Sequence, residues 1–200
     1  MRIRSAYERA FSMTKASLIF ASLLVFVSDN SATADDRTNE QVLAAKQFTF
    51  EGVALSCSLK DFLRTYPSAQ LWADETQPNV GIKCYRVLAL QSADMAEFRF
   101  LDDSLFQVVA VYMPDRLKRI GGHNVLLARL AEKFGLPDHD SPGRSEENGQ
   151  ESFTFKWKFA EAQRGFAYRN DPNCCVILFW DSSKSDLAEK RRAEKANFGF

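Results

Sequence analysis

The nine residues from Glu151 to Phe159, ESFTFKWKF, alternate between apolar and polar side chains. Successive side chains of a β-strand point to opposite faces, so this alternation predicts a strand with one aromatic and one polar face. The aromatic face is expected to lie against a core, although an exposed face that binds a partner is the alternative. The aromatic residues are Phe153, Phe155, Trp157 and Phe159, and the polar residues between them are Thr154, Lys156 and Lys158.

Further strands are predicted on the N- and C-terminal sides of this segment. Two pairs of apolar segments are separated by short runs of turn-forming residues, which is typical of β-hairpins. The first pair surrounds Asp102-Asp103-Ser104, and the second surrounds residues 169–173. The predicted strands cover 48–50, 81–88, 97–101, 105–112, 164–168 and 174–180.

Three helices are predicted from the spacing of apolar residues and from signals at the helix ends. The first has Ser58 as its N-cap and ends before Pro67. The second ends at Gly135, with Pro137 just beyond it, and the third covers 185–196 and is mostly charged. The apolar faces consist of Leu59, Phe62, Leu63 and Tyr66 in the first helix, and of Leu126 or Leu127, Leu130 and Phe134 in the second.

The order of these elements predicts an α+β fold in two layers, with helices packed on an antiparallel sheet. It also contains a weak internal repeat, because each half runs from a helix to a strand and then to a hairpin. Residues 48–181 are therefore predicted to form one α+β domain, with two α-β-β-β repeats over 48–114 and 115–181. Residues 182–200 are predicted to form a charged C-terminal helix and tail.

The start of the chain has the pattern of a secretory signal peptide. A basic residue precedes an uncharged run over 16–27, and the polar residues that follow end in an Ala-x-Ala cleavage pattern at Ala34. We expect residues 1–34 to be removed by cleavage before Asp35, and residues 35–47 to form a flexible lead-in. An uncleaved anchor or a buried helix is the alternative, although the run is shorter than the ~20 residues that span a bilayer.

The composition restricts the location and the kind of partner. No cysteine follows the apolar run until Cys57, so the lipid-attachment motif of a bacterial lipoprotein is missing. We therefore expect a periplasmic or secreted protein with no membrane span after cleavage. Removal of the leader takes away four basic and two acidic residues and leaves 22 basic and 24 acidic residues, a net charge of −2. Nucleic-acid binding, which needs a concentrated basic surface, is not expected.

Both predicted helices carry short motifs that are followed by strands. The first half contains Ser-x-Ser-Leu-x-x-Phe and then a proline, and the second contains Leu-x-x-Leu-x-x-x-Phe-Gly-x-Pro. This layout, over roughly 48–181, resembles tandem beta-lactamase-inhibitor-protein-like repeats and the small outer-membrane assembly lipoproteins that share it. The resemblance implies an exported protein-binding module, although the lipoprotein's anchor is missing and no residue matches an inhibitor's contact residues. The matching positions are Ser56, Ser58, Leu59, Phe62 and Pro67, and Leu127, Leu130, Phe134, Gly135 and Pro137.

The residue types that usually carry catalysis are scarce in this chain. It has two histidines, His123 at a predicted helix start and His139 in a polar loop between two aspartates. No motif of a metalloprotease, an EF-hand, a phosphate-binding loop or a serine hydrolase is present. The pair Gly121-Gly122 fits either an anion-binding helix start or a loop with positive φ. We therefore expect no catalytic residue, no metal site and no cofactor.

Four cysteines follow the leader, and exported proteins usually form disulfides. Cys57 precedes the first helix and Cys84 lies in the strand after it, so a Cys57–Cys84 disulfide is the preferred pairing. Such a bond closes a loop of 27 residues and is expected to stabilise the protein by ~3 kcal/mol. Cys174 and Cys175 face opposite sides of a predicted strand, so they are expected to be free thiols or to form a second bridge. If Cys57 is free, its position near a helix N-terminus predicts a lowered pKa.

These features favour a protein–protein interaction module, such as an inhibitor, an assembly factor or an envelope adaptor. Such a module is expected to expose an apolar or aromatic patch on one face of its sheet. A thiol-based redox protein or sensor that uses Cys57, or Cys174 and Cys175, is one alternative. A protein that binds a small ligand in a concave sheet is another. The expected partner is a protein of the cell envelope.

Overall fold

A computed structural model describes residues 37–72, 81–141, 153–171 and 174–198. Within these ranges the chain forms five helices and ten strands. The helices are α1 Asn39–Lys46, α2 Leu59–Thr65, α3 Pro114–Arg119, α4 Gly122–Phe134 and α5 Ser182–Phe198. The strands are β1 Thr49–Phe50, β2 Val53–Ala54, β3 Gln70–Trp72, β4 Ile82–Leu88, β5 Met95–Leu101, β6 Ser104–Tyr112, β7 His139–Ser141, β8 Phe153–Phe159, β9 Arg164–Asp171 and β10 Cys174–Asp181.

Eight strands form one antiparallel sheet in the order β3-β4-β5-β6-β10-β9-β8-β7, and β1 and β2 form a separate hairpin. Each half of the large sheet is a meander of four strands, and β6 and β10 pair at its centre. The predicted α+β class, with helices on an antiparallel sheet, is therefore confirmed. The three-residue strands β3 and β7 are additions that the sequence pattern does not predict. That the two halves are sequence repeats stays a prediction.

One face of the sheet, which we call the helix side, carries the main core. Alternate residues of the central strands point to this face and pack against buried residues of α1 to α4. Aromatic rings dominate the packing: the ring centres of Phe62 and Phe98 are 4.7 Å apart, and those of Phe134 and Phe166 are 4.2 Å apart. The predicted aromatic face of β8 belongs to this core, since Trp157 is fully buried in it.

The opposite face of the sheet, which we call the outer face, is covered at one end by α5. The predicted charged C-terminal helix is therefore present, and it lies on the other side of the sheet from α1 to α4. It buries Ala188 against three apolar residues of β4, β5 and β6, which form a small cluster separate from the main core: Ile82, Leu101 and Phe106.

Residues 39–46, expected to belong to a flexible lead-in, form the helix α1. The Thr38 hydroxyl accepts a hydrogen bond from the Gln41 backbone N–H, and the Gln41 side chain accepts one from the Thr38 N–H. The Arg37 guanidinium donates to the carbonyl oxygen of Phe134 at 2.7 Å, which ties the start of α1 to the end of α4. The capping box Thr-x-x-Gln starts this helix, which the apolar pattern does not predict, since α1 buries only two side chains. Flexibility of the lead-in stays a prediction.

Gly165 on β9 leaves room for the ring of Trp180, its cross-strand partner on β10. A Cβ atom at position 165 would lie 2.1 Å from two carbon atoms of that ring. Because the ring is bulky and buried, we expect Gly165→Ala to lower the free energy of unfolding by about 2 kcal/mol. Urea unfolding followed by circular dichroism measures this change.

Gly122→Ala is the matched control for this substitution, since nothing lies within 4 Å of a Cβ atom at position 122. Its φ of +85° makes the change cost roughly 1 kcal/mol through backbone strain alone. In a Trp180→Leu background, Gly165→Ala is expected to cost much less than in the native chain. An equal cost in both backgrounds contradicts the steric explanation.

Candidate functional site on the outer face and at the thiols

All four cysteines are in the thiol form, and the predicted Cys57–Cys84 disulfide is not formed. Cys57 packs against the core on the helix side. Cys84 alternates along β4 with Tyr85, whose ring packs against Phe62 on the helix side, so Cys84 points to the outer face. A disulfide needs Cβ atoms about 3.8 Å apart, and here the sheet lies between the two side chains. The structure therefore does not support this pairing.

The pKa of Cys57 is raised, whereas its position near a helix N-terminus predicts a lowered pKa. Burial raises the pKa of the Cys57 thiol, and the Asp61 carboxylate raises it further, while the Phe62 backbone N–H opposes them with a smaller effect. The expectation of a lowered pKa is wrong because burial of the thiol, and after it the repulsion of a thiolate by Asp61 in the first turn of α2, outweigh the effect of the helix end. Since the thiolate is the nucleophile, Cys57 is expected to react slowly with alkylating reagents.

A buried ionic cluster lies on the outer face around Glu97. Its carboxylate accepts hydrogen bonds from the guanidinium groups of Arg86 at 2.6 Å and of Arg99 at 3.5 Å. The Arg86 guanidinium also lies 3.6 Å from the centre of the Trp72 ring. Burial, together with the Glu97 carboxylate, raises the pKa of Cys84 to about 12, so the thiol beside this cluster stays protonated at neutral pH.

Cys174 and Cys175 point to opposite faces of β10, as the strand alternation predicts. Cys175 is fully buried on the helix side together with Ile177 and Phe179. Cys174 is half-buried, and the alternation of β10 places it on the outer face. The two adjacent side chains therefore belong to different surroundings and do not act as a pair.

Cys175 belongs to a chain of polar side chains on the helix side. The Tyr168 hydroxyl shares hydrogen bonds with the Nδ1 atom of His123, at the start of α4, and with the Cys175 thiol. Burial raises the pKa of Tyr168 and lowers the pKa of His123, so both groups are held in their neutral forms. Cys175 has no exposed surface, so these three hydrogen-bonded side chains satisfy one another's buried polar atoms and present no nucleophile to solvent. The side chain of the second histidine, His139, lies outside the described part.

Acidification is expected to destabilise the protein through His123. Burial holds the pKa of His123 below its ordinary value of about 6.5, so folding favours the neutral imidazole. The stability that this provides is present above pH 6.5 and is lost as the pH falls through the folded pKa. Urea unfolding at pH 7.5 and pH 5.0 measures the loss. A His123→Gln variant is expected to show a smaller difference between the two pH values, and an unchanged difference contradicts the assignment to His123.

Four apolar side chains lie side by side on the outer face, at the end of the sheet away from α5. They are cross-strand partners on the adjacent strands β4, β5, β6 and β10. One of them, Leu88, is 49% exposed, and the other three are half-buried. We call this set the apolar row: Leu88, Met95, Val111 and Val176.

The apolar row lies next to the buried ionic cluster. Arg86 and Glu97 are two residues along their strands from Leu88 and Met95, on the same face. Trp72, 37% exposed, lies on that face at the edge strand β3. The outer face therefore combines exposed apolar side chains with a fixed ion pair beside them.

Among the described residues, no three His, Cys, Asp or Glu side chains come together in a way that could hold a metal ion. In the same ranges, no helix has the length and apolar character needed to cross a membrane.

The expected cleavage position, Ala34–Asp35, lies outside the described residues. No family model, curated protein or solved structure matches the chain.

Proposed function

We propose that this protein is an exported interaction module of the bacterial periplasm that binds another envelope protein through its outer face. The observation that carries the proposal is the apolar row, which is four adjacent apolar side chains on a face that α1 to α4 do not cover. Contiguous apolar surface marks a binding site more often than scattered apolar residues do. An inhibitor, an assembly factor and an adaptor all need such a surface.

The geometry of the apolar row suits a protein partner. Neighbouring strands are about 4.8 Å apart, so four side chains on four strands extend over about 14 Å. Large exposed side chains such as Leu88 and Trp72 can serve as anchors within an interface. Because paired strands already hold these positions, binding requires little ordering of the surface.

The layout of the chain gives further support to the proposal. Each half consists of a helix followed by a meander of four strands, which is compatible with the resemblance to tandem beta-lactamase-inhibitor-protein-like repeats. That resemblance implies binding of a protein partner outside the cytosol, at the level of fold analogy. The leader-like pattern that ends at Ala34 supports export.

A thiol-based function has less support from the thiols themselves. Burial raises the pKa of both Cys57 and Cys84, and Cys175 is fully buried. Reactive cysteines usually have a lowered pKa and an accessible sulfur atom. None of these three residues combines the two properties.

Export predicts a mature chain that begins at Asp35. Protein purified from the periplasmic fraction of cells that express the full chain is expected to give an N-terminal sequence starting Asp-Asp-Arg-Thr. N-terminal sequencing and intact mass measure this directly. A chain that keeps its first 34 residues and stays in the cytosolic fraction contradicts the proposed location.

The binding proposal predicts that capture of a partner depends on the exposed Leu88 of the apolar row and not on the exposed Leu43 of α1. Leu88→Asp is expected to lower the capture of an envelope partner about tenfold or more, because a charge replaces an apolar anchor. Leu43→Asp is the matched control, since Leu43 is 51% exposed but lies on α1. Quantitative mass spectrometry of proteins retained on the immobilised variants gives the comparison. Equal retention by the native chain and both variants contradicts the proposal.

A further inference from the structure

We propose that the partner of the outer face is a protein segment in which carboxylates follow apolar side chains, and that its carboxylates bind to three basic residues at one end of the apolar row. We call these residues the basic group: Lys156, Lys158 and Arg169. The inference rests on the proposed function, because it names the chemistry of the partner for the same face.

The basic group lies on the outer face and continues the apolar row. Arg169 on β9 is the cross-strand partner of Val176, which is the last member of the row. Lys156 and Lys158 flank Trp157 on β8, and because Trp157 is buried on the helix side, both lysines point to the outer face. Neighbouring strands are about 4.8 Å apart, so the basic group begins about 5 Å beyond the row and extends to about 10 Å.

The outer face of the sheet is positively charged, whereas the chain from residue 35 onward has a net charge of −2. The described side chains that β3 to β10 direct to this face include five cations and one carboxylate, a net charge of +4. Such a surface selects an acidic partner and disfavours a basic one, because like charges across an interface cost free energy. The cations are Arg86, Arg99, Lys156, Lys158 and Arg169, and the carboxylate is that of Glu97.

The surroundings of Lys156 favour an added carboxylate. Burial lowers the pKa of Lys156, and the charge of Lys158 lowers it further. Residues two positions apart in a strand are about 7 Å apart on the same face, so one carboxylate can contact both ammonium groups. Such a contact offsets the repulsion between the lysines. The attraction is stronger at the half-buried Lys156 than in bulk water, because the effective dielectric constant is lower there.

The shape of the apolar row favours a protein over an anionic membrane as the source of the negative charge. Membrane-binding surfaces insert apolar side chains about 5–10 Å into the boundary between head groups and acyl chains. Three of the four residues in the row are half-buried in the sheet, and Leu88 is 49% exposed. A row that protrudes so little suits a partner that lies against the sheet.

The test measures the binding of two defined fluorescent peptides to the purified protein by fluorescence anisotropy. The acidic probe is Gly-Leu-Ser-Leu-Ser-Leu-Glu-Glu-Glu-Gly, and the neutral probe has glutamine in place of each glutamate. The acidic probe is expected to bind about tenfold tighter or more in 50 mM NaCl. The difference is expected to shrink in 300 mM NaCl, because salt screens exposed charges. Equal affinities for the two probes in 50 mM NaCl overturn the proposal.

Charge reversal in the basic group is expected to remove the preference for the acidic probe. The variant is Lys156→Glu/Lys158→Glu, and its affinity for the neutral probe is expected to stay within about twofold of the native value. Lys156→Gln/Lys158→Gln adds no negative charge and is expected to lower affinity for the acidic probe about threefold. Circular dichroism checks that each variant keeps the native fold.

Lys60→Glu/Lys118→Glu is the matched control, because it changes the net charge of the chain by the same amount. Both lysines are exposed, on the helices α2 and α3 of the helix side. We expect this variant to keep the native affinity for the acidic probe. An equal loss in the control and in Lys156→Glu/Lys158→Glu overturns the proposal, because it shows an effect of net charge alone.

Vesicles test the membrane as the source of the negative charge. Sedimentation with vesicles of equal parts phosphatidylglycerol and phosphatidylcholine is expected to show no binding that depends on Lys156 and Lys158. Lysine-dependent binding to these vesicles, without lysine-dependent binding of the acidic probe, overturns the choice of a protein partner.

The same variants separate this inference from the proposed function. Capture of an envelope protein is expected to fall about tenfold in Lys156→Glu/Lys158→Glu and to stay at the native level in the control variant. Capture that depends on Leu88 but not on the two lysines overturns the acidic chemistry of the partner and leaves the proposed function standing. Capture that depends on neither Leu88 nor the lysines overturns both.

Discussion

Phe62→Ala is expected to lower the free energy of unfolding by about 4 kcal/mol. The Phe62 side chain has no exposed surface, and its ring centre lies 4.7 Å from that of Phe98 and 5.1 Å from that of Phe100. Its removal leaves a cavity between α2 and β5 that these rigid rings cannot fill. Urea unfolding monitored by fluorescence and circular dichroism measures the change.

Leu63→Ala provides the matched control for Phe62. Leu63 is the next residue of α2 and is only half-buried, so its removal is expected to cost about 1 kcal/mol. Similar costs for the two substitutions contradict the position of Phe62 at the centre of the helix-side core.

Glu97→Gln is expected to lower the free energy of unfolding by about 3 kcal/mol. The change removes the charge that balances Arg86, and the two side chains are only 3% and 6% exposed. A buried guanidinium without its carboxylate retains most of its desolvation penalty. Urea unfolding at pH 7 measures the loss.

The double variant Arg86→Met/Glu97→Leu tests whether the loss of stability in Glu97→Gln comes from the charge that is left unpaired. Replacement of both partners by apolar side chains removes the desolvation penalty as well as the attraction, so it is expected to cost less than Glu97→Gln alone. A double variant that is less stable than Glu97→Gln contradicts the view that the uncompensated charge causes the loss.

The strand pattern predicted much of the sheet because alternation depends only on the local backbone. The aromatic face of β8 and the opposite directions of Cys174 and Cys175 follow from that alternation. The short strand β3 has no such pattern, since all three of its side chains are exposed. Its place in the sheet depends on pairing with β4, which the sequence does not encode locally.

The structure does not support the Cys57–Cys84 disulfide, because the prediction used distance along the chain and did not consider the face of the strand. In the alternation of β4, Tyr85 and Val87 point to the helix side, so Cys84 must point away from it. Cys57 packs on the helix side. A shift of one residue along a strand moves a side chain to the opposite face of the sheet. The face on which each cysteine lies therefore decides whether two cysteines can form a disulfide.

The candidate surface depends on strand register, which the sequence alone does not fix. Leu88, Met95, Val111 and Val176 come from four separate segments, and only the pairing of β4, β5, β6 and β10 brings them together. The partnership of Arg86 with Glu97 has the same origin. The sequence therefore predicts an exposed apolar or aromatic patch on one face of the sheet, but it does not predict which side chains meet there.

The most direct test of the proposed binding face is site-specific photocrosslinking in intact cells. A photoreactive amino acid replaces Leu88 in one strain and Leu43 in another, and crosslinked proteins are identified by mass spectrometry. The two positions are similarly exposed, at 49% and 51%, so background collisions are matched. We predict that position 88 gives a reproducible crosslink to an envelope protein and that position 43 does not. Equal crosslinking of one protein from both positions, or none above background from position 88, contradicts the account.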